Sequence, residues 1–356
     1  MQRLFRAVVF SVFALCSPAT ALADWTINDA VNAVIEEAIK PALSRYHLQT
    51  MSMSASIDAL CAEPGAGTLA ASRDQFGRLV EAWGQVEFVR IGPLTSENRL
   101  ERTLYWPDRK GRGLRQVRMA IAQEQQPVAA VETLSKQSVA VQGLSALEFV
   151  LFGDESGTLE TRAEHRCNYG KSIAENLSNI AGELIAAWEA EDGFANLWRN
   201  PSPDNALFRD ADEQLRALLK LVSQGSEIIR VQRLDPFLDS EPFNAKRALF
   251  WRSGKTFTSL NGNFDGLQNI VLAAKLDDIV GGNDGRVVDG LSFELSNAKR
   301  TLAETQISVE TLASESNAMS RVKYLRIVTQ SLIDLSGKTI PAIFGLSSGF
   351  SSLDGD

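Results

Sequence analysis

The chemically suggestive part of this sequence begins at Val139–Phe152, VAVQGLSALEFVLF. Nearly every side chain is apolar, which predicts a helix buried on most sides, yet Gln142, Ser145 and Glu148 recur every third residue along one stripe. A carboxylate without a partner is costly in such surroundings. Glu148 is therefore expected to be protonated, hydrogen-bonded, paired with an arginine or bound to a metal ion. The plainer alternative is a structural salt bridge, since ion pairs perturb carboxylates without serving a function.

A second stretch, Arg90–Arg118, holds eight basic residues, Arg90, Arg99, Arg102, Arg109, Lys110, Arg112, Arg115 and Arg118, against Glu97, Glu101 and Asp108. This local +5 in an acidic chain would grip an anion or, as the blander reading has it, neutralise acidic helices packed beside it. Other chemistry is excluded by residue counts. Only His47 and His165 occur, so neither a three-histidine zinc site nor an HExxH helix can be built. Three cysteines exclude a zinc ribbon or a cysteine-ligated iron–sulfur cluster within one chain. Gly281–Gly285 follows Asp277 and Asp278 but lacks the order of a calcium loop and reads as a helix stop and restart. His165 and Cys167, two apart on a helix, do not face each other as a catalytic pair. No nucleophile elbow, phosphate loop or dinucleotide fingerprint is present.

Residues 1–23 read as a cleaved export signal, with Arg3 and Arg6 before an apolar run and Ala21-Leu22-Ala23 before Asp24. Leu15 before Cys16 does not match a lipoprotein signal. Removing the signal leaves 34 basic against 44 acidic residues, a net charge of −10, which argues against nucleic acid as a partner. No later segment is a transmembrane span, so the mature chain is expected in the periplasm. There, Cys61 and Cys167 would form either a disulfide or a pair of buried thiols, a choice that depends on their distance.

Helices must position these residues. Val288, Leu291, Leu295, Ala298, Leu302, Val309 and Leu312 follow the spacing of a bundle seam on which Thr305 is the only polar residue. Phe208, Ala211, Leu215, Leu218 and Val222 repeat that spacing, with Asp204 as the expected N-cap. Further helices are predicted over Trp25–Tyr46, Ser72–Val89, Val139–Phe152, Leu159–Glu191 and Asp265–Val280, with Pro41 kinking or ending the first. Alternating strand patterns are almost absent. The expected fold is all-α: two packed helical bundles, residues 24–192 and 193–356, divided where Gly193, Pro201, Ser202 and Pro203 gather. Duplication of one half would account for this, although no self-alignment is strong enough to assert it.

Several motifs, taken in order, resemble the imelysin family of exported helical proteins, once grouped as metallopeptidases and linked to bacterial iron uptake. They are Arg90-Ile91-Gly92-Pro93-Leu94, Asn98 through Arg102, Trp106-Pro107-Asp108, Gly111 through Gln116, Gly143-Leu144-Ser145-Ala146-Leu147-Glu148 and the tail Gly349–Asp356. The resemblance implies a two-bundle fold with the G-x-H-x-x-E hallmark near an inter-bundle cleft, and carries Gly143 and Glu148 over as site residues. Ser145 stands where the hallmark has histidine, and a hydroxyl is a poor metal ligand beside imidazole.

The leading expectation is a periplasmic, non-catalytic binding or accessory protein connected with iron uptake. Its cleft would be formed around Gly143, Ser145 and Glu148, with Arg99 and Arg115 balancing the carboxylate or gripping an anion. Its ligand would be a small molecule or a metal ion, iron or another divalent cation, with Glu148 as a metal ligand and envelope iron-uptake proteins as partners. One alternative is a metal-dependent peptidase built from carboxylates around Glu148. Another is a structural envelope protein with a dry, pocketless interface at Glu148.

Overall fold

The structure, a computed structural model, describes residues 25–161, 163–305 and 307–346. The expected signal segment with Cys16 and the tail from Gly349 lie outside them. Among the described residues all regular structure is helical.

The first helix, α1 (Ile27–Ala33), opens on a capping box in which Thr26 Oγ1 accepts from the Asp29 amide and the Asp29 carboxylate accepts from the Thr26 amide. A π-helical turn, Val34–Ile39, joins it directly to α2 (Lys40–Ala62). Of the two expectations for Pro41, a kink or an end, the chain shows no end: the helix leaves regular α geometry just before it and continues. A proline ring crowds the carbonyl four residues back and offers no N–H. The wider turn, in which the Lys40 amide reaches the Ile35 carbonyl, absorbs both defects. The same device recurs twice, at Ile228–Leu234 before Pro236 and at Leu335–Thr339 before Pro341.

Next come α3 (Ala66–Gly84), α4 (Arg112–Ala122), α5 (Leu144–Phe152) and α6 (Glu164–Glu189). The second half contributes α7 (Ala211–Glu227), α8 (Thr256–Ala274), α9 (Gly282–Ala303) and α10 (Ser316–Asp334). Asp210, not Asp204, caps α7 by accepting from the Glu213 amide. Asn205 holds the preceding loop out of the helix: its amide donates to the Leu197 and Asn200 carbonyls while its carbonyl accepts from the Leu207 and Phe208 amides. The predicted seam is buried along α9 at Val288, Leu291, Leu295, Ala298 and Leu302, and continues past the helix through Val309 and Leu312. Thr305 is tolerated there because its hydroxyl donates to the Thr301 carbonyl.

Helix α2 packs on α3 and α6, and α5 lies against α6. In the second half α9 packs on α8 and α10, and α10 on α7. Helix α1 and its π turn cross over to touch α7 and α8. Cys61 at the end of α2 and Cys167 at the start of α6 form a disulfide, their Cα atoms 5.8 Å apart.

The principal junction between the halves is the crossing of α3 and α8. A Cβ on Gly84 would lie 2.7 Å from the Ser259 carbonyl oxygen, one on Gly266 2.7 Å from that of Gln85, and one on Gly262 would strike that of Glu81. Beneath this crossing Asn263 Nδ2 donates to the Gly84 carbonyl at 2.8 Å and to Glu87 at 2.7 Å, and Glu87 takes both Arg233 Nε and Nη2. The Glu87–Arg233 pair is fully buried.

Gly262→Ala should therefore lower unfolding stability in urea by ~1–3 kcal/mol or more through overpacking. Gly67→Ala on α3, with open space at its Cβ, should raise it by ~0.4–1 kcal/mol. Equal effects of the two would contradict the backbone contact. Replacing both Cys61 and Cys167 with alanine should cost about 2–4 kcal/mol in the same assay, and an unchanged midpoint would show that the bridge is not formed in solution.

Candidate functional site

Glu148 sits on α5, a helix whose first residue follows Gly143. That glycine is required sterically: a Cβ there would lie 2.6 Å from the Arg102 carbonyl oxygen and closer still to that of Thr103. It lets the start of α5 press against the end of the short helix Arg99–Thr103. Ser145 and Glu148, one turn apart, then face a cleft of about 850 Å³.

One wall of the cleft comes from the first half: Tyr105 to Arg109, Leu114 and Val117 with Ser145 and Glu148. The other comes from the second half: Val231, Gln232, Asp235, Pro236 and Asp239, then Lys246, Arg247 and Leu249 through Arg252. Trp106 Nε1 donates to the Gln232 carbonyl at 3.0 Å and ties the two walls together. The interface at Glu148 is thus open to a sizeable cavity, unlike the dry seam expected of a purely structural stripe.

The groups around Glu148 come from a turn, Leu249–Lys255, that leads into α8. Phe250 holds φ +57°, a left-handed conformation that a bulky side chain adopts only under constraint. Its ring is buried edge-on against Phe76 at 5.7 Å, and Gly254 at φ +69° completes the reversal. Thr256 Oγ1 closes the turn on the Leu249 carbonyl at 2.7 Å. The strained turn presents Trp251, Arg252 and Ser253 to the cleft side of α5. Glu148 Oε1 accepts from the Ser253 amide at 2.9 Å and lies 2.8 Å from its hydroxyl, while Oε2 is 3.8 Å from Arg252 Nη1.

Burial pushes the Glu148 carboxyl above its ordinary range, and the Ser253 hydrogen bonds and Arg252 only partly offset this. Ser253 Oγ has one proton and two acceptors within reach, Glu148 and the Phe250 carbonyl at 3.1 Å.

The remaining predicted residues disperse. Ser145 makes only a long contact, 3.4 Å, to the Tyr105 carbonyl. Arg99 is not at Glu148: it is buried with Nε on Glu183, Nη1 on the Pro93 carbonyl and Nη2 on Glu97, where it neutralises α6. Arg115 is also elsewhere, exposed, with Nη1 on the Lys110 carbonyl. Both belonged to a basic run whose members turn in different directions along two separate short helices. Arg118 pairs with Asp154, and Arg109 alone among the eight lines the cleft. Asp108 caps α4, accepting from the Arg112 and Leu114 amides. His165 bonds the Ala120 carbonyl, and Cys167 is in the disulfide.

A metal held by Glu148 does not fit this arrangement. Its near neighbours are a serine and an arginine, a cation that competes with any metal ion. Among the described residues no three histidine, cysteine, aspartate or glutamate side chains converge as a ligand set.

The Arg252–Ser253 partnership escaped sequence reading because it lies 105 residues from Glu148. The available signal was local: Phe-Trp-Arg-Ser-Gly just before a helix places an indole and a guanidinium on a turn.

Glu148 binds its proton more tightly in the folded than in the unfolded chain, so ionisation costs stability as pH rises past the ordinary carboxylate range. Glu148→Gln cannot ionise. Its urea midpoint relative to the unaltered protein should improve between about pH 4 and about pH 7. A relative loss with rising pH would mean that Arg252 and Ser253 favour the carboxylate instead.

The imelysin family model matches residues 39–332. No curated protein matches the chain. An imelysin-like protein from Psychrobacter arcticum 273-4 has a similar structure, with a TM-score of 0.74 at 20% identity over 91% of this chain and 97% of that one. So has a protein of Parabacteroides distasonis ATCC 8503 provisionally named an iron-regulated protein A precursor, with a TM-score of 0.76 at 11% identity over 89% of this chain and 95% of that one. With its hallmark written Gly143-Leu144-Ser145-Ala146-Leu147-Glu148 and a family match across most of its length, this chain belongs to the imelysin family.

Proposed function

We propose that this imelysin-family protein is an exported, non-catalytic binding or accessory protein connected with iron uptake. In this reading residues 1–23 direct export to the periplasm and are removed. Two bundles, residues 24–192 and 193–356, enclose a ligand in the cleft around Glu148. The observation that carries the reading is the cleft of about 850 Å³ with the hallmark's Ser145 and Glu148 on one wall and Trp251 and Arg252 on the other. Such a concave site, largely apolar with a few convergent polar groups, is of the kind that holds small molecules. The iron connection is supported by family membership and by the name given to the Parabacteroides distasonis protein of similar fold. Iron would enter as cargo of the uptake route and not as a resident cofactor. A carboxylate-based peptidase is disfavoured because the Ser253 amide and hydroxyl already engage Glu148.

Deleting the gene should slow growth of the host in iron-depleted medium but not in iron-replete medium. A copy carrying Trp251→Ala should fail to restore growth although the protein accumulates normally. Protein purified without chelators should be metal-poor and inert toward peptides. Stoichiometric metal with peptide cleavage that Glu148→Gln abolishes would replace this reading with the peptidase.

A further inference from the structure

We propose that the cleft selects an organic anion, specifically a carboxylate carried on a flat aromatic body; this rests on reading the cleft as a binding site. The charged side chains on its wall look balanced, with Arg109, Lys246, Arg247 and Arg252 against Asp108, Glu148, Asp235 and Asp239. Their engagement is not balanced. Each carboxylate already stands beside a donor or a cation, although Asp235 Oδ1, 2.8 Å from Arg326 Nε, is not aligned for a hydrogen bond. Asp108 accepts two amides at the start of α4. Asp235 and Asp239 share Arg326, which meets the first through Nε at 2.8 Å and the second through Nη1 at 2.8 Å and Nη2 at 3.2 Å. Glu148 is held by Ser253.

The cations are the free partners. Arg109 and Arg247, exposed at the rim, have no carboxylate within ion-pair distance among the described residues, and Lys246 has only the Trp251 ring. Arg252 stands 3.8 Å from Glu148, too far for a hydrogen bond, and spends its face on Trp251 at 4.6 Å and Phe149 at 5.1 Å. Stacking leaves the edge of a guanidinium available, and that edge is the part that grips a carboxylate in bidentate fashion. An entering anion therefore finds free donors, whereas an entering ammonium group finds carboxylates already facing amides, a hydroxyl or Arg326. Trp251 and Trp106, both half-buried, with Tyr105 and Leu114 provide the flat apolar surface against which an aromatic ring would lie.

Three ligands of one shape separate the terms: 1-naphthoate, 1-naphthalenemethanol and 1-(aminomethyl)naphthalene, titrated calorimetrically into the mature protein. The naphthoate should bind at least roughly tenfold more tightly than the alcohol, and the amine more weakly than either. Arg109→Gln with Arg247→Gln, both on the exposed rim and harmless to the core, should shrink the ratio of naphthoate to alcohol affinity. Arg252→Gln should shrink it further. If alcohol and naphthoate bind equally while Trp251→Ala weakens both, the anion inference is overturned and the cleft remains a binding site. If none of the three binds, or Trp251→Ala changes nothing, the cleft reading falls and this inference with it.

Discussion

At Gly84, Gly262 and Gly266, helices α3 and α8 meet backbone to backbone, and both walls of the cleft are referenced to that contact. A crossing without intervening side chains has little slack, because any displacement opens a gap or drives atoms together. From it the structure runs two ways. Arg233, locked to Glu87 and thereby to Asn263 beneath the crossing, ends the π turn that supplies Val231 and Gln232 to the cleft. In the other direction α8 begins just after the turn that carries Trp251, Arg252 and Ser253, and Lys255 of that turn packs directly on Gly77 of α3. One helix crossing thus sets the separation of elements that belong to different halves of the chain.

The Glu87–Arg233 pair illustrates why such a junction is specific and not merely stable. Desolvating both charges consumes much of what their attraction returns, so the net contribution of the pair is small, whereas removing one partner strands the other at a cost of about 3–5 kcal/mol. The pair and Asn263 therefore act mainly against wrong arrangements. A rotation of α8 that preserved apolar contact would still leave a buried carboxylate or guanidinium without a partner. The strained turn at Phe250 depends on the same rigidity. A left-handed φ at a bulky residue persists only where its surroundings leave no alternative, and here Phe76 on α3 and the Thr256 hydroxyl at the start of α8 fix it from both sides.

How much of this was legible in the sequence follows from the range of the interactions involved. The α9 seam and the α7 spacing could be read because helical periodicity is a local property. Pro41 marked a break in regular α-helix, but whether as a kink or an end was not legible, because a π turn has no periodicity signature of its own. Asp204 misled because Asn205 beside it organises the loop more strongly than a cap would. At the site, Glu148 and Ser145 stood out as polar residues on an apolar stripe, which is again local. Their partners did not, since nothing near Glu148 in sequence points to a turn a hundred residues away. Arg99 and Arg115 belong to a basic run whose charge alone says nothing of where each side chain turns. The fold turns Arg99 toward Glu183 and leaves Arg115 in solvent. Gly143 was legible as a position but not in its role, which is steric and depends on carbonyls of the preceding helix.

The replacement of the hallmark histidine by Ser145 then has consequences beyond the loss of a metal ligand. A serine fills less space than an imidazole, and Ser145 faces the cleft beside Tyr105. It also removes from the wall the one side-chain type that ordinarily titrates near neutrality. What remains is a set of permanently charged arginines and a lysine, opposed by carboxylates of which two, Glu148 and Asp235, are displaced upward by burial. For Asp235 the neighbouring Asp239 adds to that rise while Arg326 and Arg230 oppose it. Protonation of either carboxylate, Glu148 or Asp235, on acidification shifts the balance of the wall toward positive charge.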